Sequence, residues 1–195
     1  MPNGNKRIDQ PRLAVRRLNR ILTMLLSEMK DLTDEGRDFP IRWNIMHMYS
    51  SSQLAKLLAM HRGIDPELAG IAAALHDIGI VRTKKHEEHA ETGEKYVYEA
   101  VEKYNVESGT KLAPVTKEEL EKIVKAIVNH SDKEANSNDP FVELLKDVDS
   151  LDGYLHGVKA EGARFERCKK VMEELRIAFR QKRHGKETGE GVENG

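Results

Sequence analysis

Residues 71–80 read IAAALHDIGI, so a histidine and an aspartate, His76 and Asp77, stand side by side at the end of one of the most apolar runs in the chain. Burying one unpaired carboxylate costs several kcal/mol, and the cost recurs for every further polar group brought to the same place. Groups of the same two types fall at inward-facing positions elsewhere: His47, His89, His130 and Asp149. Imidazoles and carboxylates that converge in a core need a partner that neutralises and organises them, and a divalent metal ion supplies one. This donor mixture suits manganese, iron, cobalt, nickel or zinc better than magnesium, which favours all-oxygen octahedra and keeps its waters. One ion, or two, is expected.

The elements that must carry these residues are helices. Apolar residues recur at helical spacing almost throughout, and no stretch shows strand-like alternation. A first helix is predicted from about Pro11 to Lys30, its stripe formed by Leu13, Leu18, Ile21, Leu22, Leu25, Leu26 and Met29, with Arg16, Arg17 and Arg20 on its other faces. It either covers the domain or forms part of a dimer contact. The second, from about Asn44 to His61, aligns His47, Leu54, Leu58 and His61 on one face, which turns His47 inward; His61 reads as packing or surface. A third opens with Asp65 as cap, Pro66 in the first turn and Glu67 at the positive dipole end. It is apolar on all sides over LAGIAAAL and is predicted to close at Gly79, a residue suited to a left-handed turn.

A fourth helix is predicted over about 86–104, with His89 in its stripe, and ends at the loop NVESGTKLAP. The fifth begins at TKEE, where Thr116 and Glu119 have capping-box spacing, and its apolar face of Leu120, Ile123, Val124 and Ile127 ends on His130. The sixth begins with Asp139 and Pro140. With Leu145 at zero, Asp149 lies at about +40° and Asp152 at about −20°, beside the apolar stripe, while Asp147 points well away. An Asp147→Asn change is therefore expected to be nearly silent, and Asp152 to orient a ligand histidine. A last helix is predicted over about 157–181, carrying Phe165, Cys168, Val171, Met172, Leu175 and Phe179.

Bulk composition narrows the classes. The 195 residues suffice for one substantial core, so residues 1–182 are expected to form a single domain and residues 183–195, RHGKETGEGVENG, a disordered tail. Lys and Arg number 32 against 33 Asp and Glu, a balance that gives no electrostatic footprint for nucleic acid or an anionic membrane. The longest apolar run, Leu68 to Leu75, is far below the roughly 20 residues a membrane span needs. The single cysteine, Cys168, excludes an internal disulfide, and the N-terminal residues contain no apolar stretch of signal-peptide type. A cytoplasmic protein is expected.

The stretch AALHDIGI, preceded by HMYSSSQLAKLLAMHRGIDPELAGI and followed by HAETGEKYV and KDVDSLDG, resembles the HD-domain superfamily of metal-dependent phosphohydrolases, of HDIG type, over about residues 44–155. The resemblance implies a compact all-α HD-domain bundle, here with an extra N-terminal helix and a long C-terminal one. It places His47, His76, Asp77 and Asp149 at the family's four metal-ligand positions, Asp149 being the aspartate just before the Ser-Leu pair. His89 and His130 fall where dinuclear members carry extra histidine ligands. Two substrates are disfavoured by departures from family patterns. NHSDKEA lacks the paired histidine and the Gly-Tyr-Pro tag of cyclic-di-GMP phosphodiesterases, and HDIGIVRTKK lacks the acidic pair that follows the motif in alarmone hydrolases.

The reaction so implied is hydrolysis of a phosphate ester of a nucleotide or related small metabolite. A metal ion would act as a Lewis acid and lower the pKa of water from about 15.7 toward roughly 7, and Asp77 would orient or deprotonate that water. Arg82, Lys84 and Lys85, just after the motif, are the candidates for binding phosphate, with His86 reaching the same region, and Trp43 could pack over the site. Two alternatives stay open: a sensor module that holds a metal and a nucleotide without turnover, and a di-iron oxygenase-like protein, which would need all six candidate ligands. Homodimerisation is a third open matter.

Overall fold

The computed structural model describes residues 13–178. The start expected for the first helix at Pro11, the expected helical end with Phe179, and the expected tail lie outside these residues. Among the described residues the chain forms eight helices and no strand: α1 (Arg16–Met29), α2 (Ile41–Arg62), α3 (Pro66–Leu75), α4 (Ile78–Thr83), α5 (His89–Ser108), α6 (Lys117–Asn129), α7 (Pro140–Leu155) and α8 (Gly162–Glu174). The all-α bundle expected from the helical periodicity is what forms. No helix among the described residues is long and apolar enough to cross a membrane.

α3 is the centre. Asp65 caps it by accepting from the Leu68 N–H at 2.9 Å, Pro66 takes the first turn, and every residue from Glu67 to Leu75 is buried, because α1, α2, α6 and α7 all pack against it. The apolar face of α1 lies on this centre, with Leu18, Ile21, Leu22, Met24, Leu25 and Met29 buried, so the helix covers the domain. Leu13 is not part of that face; it precedes the first turn and is 43% exposed. Nor does Arg17 sit on an outer face. Its guanidinium meets Glu67 and Glu119, each at 2.8 Å, and so ties α1 to the start of α3 and of α6.

The boundaries around the HD pair differ from expectation. α3 stops at Leu75, His76 and Asp77 form the turn, and α4 starts at Ile78. Gly79 is inside α4 and makes no left-handed turn. It is there for a different reason: a Cβ at that position would lie 2.2 Å from the His89 carbonyl oxygen and 3.1 Å from the Gly93 Cα, so α4 and α5 touch backbone to backbone. This contact brings His89, the first residue of α5, beside Asp77. α5 also runs on to Ser108, past its expected end at Tyr104. Nothing breaks the helix before Gly109, and the Asn105 side chain anchors the returning loop by two bonds with the Val115 backbone.

α6 has the expected capping box, Thr116 with Glu119. α7 starts with the expected Asp139 cap, which accepts from the Phe141 N–H at 3.0 Å, with Pro140 in its first turn. α8 begins later than predicted, since Gly157 and Gly162 both have positive φ and the residues between them form no helix. It is held on α7 by buried Cys168 and Val171 and by Arg167, which reaches Asp147 and Glu143 at 2.8 Å each. Asp147, expected to face outward, is therefore fully buried, bound by Arg167 and by Arg62 at 2.7 Å. Helical phase measured against one stripe cannot show that a second helix covers the opposite face.

Candidate metal centre

Three helix ends and two helix interiors deliver the site. His47 comes from the middle of α2, His76 and Asp77 from the α3–α4 turn, His89 from the first turn of α5, His130 from the C-terminal cap of α6, and Asp149 from α7. All four histidines are at least nine-tenths buried. The structure thus brings together the six residues singled out as metal-ligand candidates.

Each imidazole is oriented by its Nδ1. His76 Nδ1–H donates to the Ala73 carbonyl at 2.7 Å, His89 to that of His86 at 2.6 Å and His130 to that of Ile127 at 2.6 Å. The three bonds share a pattern, a ring reaching back three residues. At the end of α3 the bond occupies a carbonyl that the helix itself leaves unsatisfied, and at the end of α6 it joins the His130 N–H on the Ile127 carbonyl. His47 Nδ1 instead pairs with the Asp152 carboxylate at 2.6 Å. With every Nδ1 engaged, every Nε2 points to the centre.

There the donor atoms form two adjoining sets. His47 Nε2 lies 3.1 Å from His76 Nε2, 3.5 Å from Asp77 Oδ2 and 3.2 Å from Asp149 Oδ1. His76 Nε2 is 3.5 Å from Asp77 Oδ2 and 3.7 Å from Asp149 Oδ1. On the other side of the same aspartate, Asp77 Oδ1 is 3.3 Å from His89 Nε2 and 3.7 Å from His130 Nε2, which are 3.1 Å from each other. Donors bonded to one ion at about 2.1 Å in tetrahedral array stand about 3.4 Å apart, so the spacings fit ligands of a common ion in each set. His47, His76 and Asp149 offer donors all within 4.8 Å of one another, as do His76, Asp77 and His130.

The electrostatics agree. Two Nε2 lone pairs cannot face each other at 3.1 Å without a cation or a proton between them. Burial opposes charge on His47, yet its bonds to Asp149 and Asp152 raise its pKa to about 10. Burial drives that of His130 down to about 4. His47 thus carries a proton at the short contact with His76, and Asp77 raises the pKa of His89 against the opposing effect of burial. Burial pushes the Asp77 carboxyl up, but His76, His130 and His89 hold it well below the ordinary carboxylate range. Asp149 is held down likewise, against burial, by Lys133 and by His47 and His76.

Several participants had no sequence signal. Lys133 Nζ, almost wholly buried, donates to Asp149 Oδ2 at 2.6 Å and to the His130 carbonyl. Arg164, from α8, comes within 3.5 Å of the same carboxylate oxygen. Ser50 and His156 surround Asp152, Ser50 donating to it at 2.9 Å. Beside the cluster a cavity of about 300 Å³ opens, walled by Phe39, Trp43, Ile80, His86, Val158 and Arg164. Trp43 stacks on the His47 ring at 5.7 Å, and His86 on that of His89 at 4.8 Å, so both border the site.

The cations expected to bind phosphate do not line this cavity. Arg82 bonds Glu28 at 2.5 Å, Lys84 Nζ donates to the Glu35 carbonyl at 3.1 Å, and Lys85 pairs with Asp38 at 3.0 Å. Although they follow the HD pair directly in sequence, α4 carries them toward α1 and the loop before α2. His61 is half exposed beside Glu174, away from the centre.

The family model described as HD domain matches residues 44–154, which spans α2 to α7 and all six converging residues. No curated protein and no solved structure matches the chain.

Proposed function

We propose, from the premise that this chain belongs to the HD-domain family, whose members are generally metal-dependent phosphohydrolases, that it hydrolyses a phosphate ester of a small metabolite, with a nucleotide as the favoured class. What supports this most is the set of eight donor–donor distances between 3.1 and 3.7 Å around Asp77. In this reading His47, His76, Asp77 and Asp149 hold one divalent transition ion, and Asp77, His89 and His130 a second. Ions so held supply Lewis acidity and lower the pKa of water toward about 7.

The chain's own residues supply position. Asp77 is the catalytic residue: its carboxylate, kept ionised by the imidazoles around it, accepts a hydrogen bond from the attacking water and aims it at phosphorus. Asp152 fixes the His47 ring, and Lys133 fixes Asp149. Trp43 and Phe39, tilted together at 6.3 Å, give the substrate's organic part an apolar wall and keep bulk water from that side. The lone cysteine, buried and free with its thiol pushed up to about 11 by burial, suits the cytoplasm as compartment.

Generic phosphomonoesters, phosphodiesters and nucleotides, each tested with manganese, cobalt, nickel and magnesium, should reveal turnover that Asp77→Ala abolishes. Tight nucleotide binding without turnover under every metal would favour a sensor instead. The convergence of six side chains also meets the ligand count of an iron pair, so two irons per chain with oxygen consumption would favour oxidation over hydrolysis.

A further inference from the structure

Arg164 lies beyond residue 154, where the family match ends, yet it lines the cavity. Its direction follows from α8. Arg164, Arg167, Cys168 and Val171 share one helical face, and the last three are buried against α7. Arg167 is fixed there by Asp147, Glu143 and the Lys133 carbonyl, so the turn bearing Arg164 is held in place. The facing position on α7 is Gly153, where a Cβ would stand 3.3 Å from Arg164 Nη1; the missing side chain leaves the guanidinium its room.

The arginines of this region differ in what they bind. Arg167 and Arg62 each meet two carboxylates at 2.7 to 3.0 Å. Among the described residues the acceptor Arg164 meets is Asp149 Oδ2, at 3.5 Å, an oxygen that already accepts from Lys133 at 2.6 Å. An arginine has five N–H donors in a planar fork matched to the oxygens of a phosphate. This fork is one-third exposed and borders the same cavity as His47, Asp77 and His89.

Building on the hydrolase reading, we infer that Arg164 is the residue that grips the substrate's phosphate, so the segment after the family region completes the site with a cation from α8. A tetrahedral anion set against the His47–Asp149 edge, 3.2 Å wide, has non-bridging oxygens left over, and the Arg164 fork, held only by the 3.5 Å contact to Asp149 among the described residues, stands beside them. Arg82, committed to Glu28, has no part in it.

The test uses the full-length, manganese-loaded protein with inorganic phosphate as titrant in calorimetry, and elemental analysis of every sample. Arg164→Gln should keep its manganese and bind phosphate at least about tenfold more weakly, the scale of losing charge-assisted bonds. Arg164→Lys should recover part of that loss, and Arg82→Gln should bind as the wild type does. With 4-nitrophenyl phosphate, Arg164→Gln should raise KM more than it lowers kcat. A loaded Arg164→Gln protein with wild-type phosphate affinity overturns this inference alone, as does a loaded wild type that binds no phosphate. A wild type that takes up no manganese overturns the reading of the centre and this inference with it.

Discussion

His47 Nε2 and His76 Nε2 face each other across 3.1 Å, each ring held by a bond at its other nitrogen, His47 to Asp152 and His76 to the Ala73 carbonyl. Neither ring can turn away without breaking a buried hydrogen bond. In the metal-free protein the contact is stable because His47 carries a proton there, with its pKa raised to about 10.

Metal binding must therefore expel that proton. At pH 7.5 the metal-free His47 is charged, whereas a ligand imidazole is neutral, so binding should release about one proton from this ring. Manganese titrations in buffers of different ionisation enthalpy measure the release, and a buffer-independent heat would refute it. For stability the signs differ between residues. The raised His47 pKa stabilises the metal-free fold fully below about 6.5, and that contribution is lost as pH rises toward 10. The lowered His130 pKa stabilises it above 6.5, and that contribution is lost as pH falls toward 4.

Asp152→Asn should weaken manganese binding by roughly 10- to 100-fold, because the carboxylate that orients His47 and raises its basicity is gone. The fold should survive, since Ser50 and His156 still meet the amide. Equilibrium dialysis reads the affinity and circular dichroism the fold.

Asp147→Ala should leave metal content unchanged and destabilise the protein by about 1.5–3 kcal/mol, since Arg62 and Arg167 each lose one of their two carboxylate partners, keeping Glu174 and Glu143. Denaturant melts measure this cost. Metal loss in a folded Asp147→Ala protein would show that Asp147 and Asp149 have been confused.

Gly79→Ala should push α4 from α5, because the added Cβ meets the His89 backbone. The displaced residue is a ligand of the second set only. Metal content should fall from two ions per chain toward one while the ion at His47, His76 and Asp149 stays. Elemental analysis that still finds two ions would contradict the role of this contact.

What the sequence disclosed was local or periodic. The caps at Asp65, Thr116 and Asp139 depend on residues within three positions, and the inward turn of His47 and Asp149 on helical phase, so these could be read from the chain. The HD stretch carried the family. Gly79 has the residue type of a helix terminator but acts through a helix crossing that sequence does not display. Lys133 and Arg164 sit among many charged residues, and only the placement of α7 and α8 turns them to Asp149. Arg82, Lys84 and Lys85 show the converse, since nearness in sequence to Asp77 does not bring them to the cavity beside it once the chain turns into α4.

The central claim is that divalent ions join the imidazoles and carboxylates around Asp77. Crystals of manganese-loaded protein, measured for anomalous scattering at the manganese edge, test it most directly. The account predicts a peak about 2.2 Å from Nε2 of His47 and His76 and from the Asp77 and Asp149 carboxylates, with a second peak between Asp77, His89 and His130. A map from loaded crystals with no anomalous peak at these atoms would contradict it.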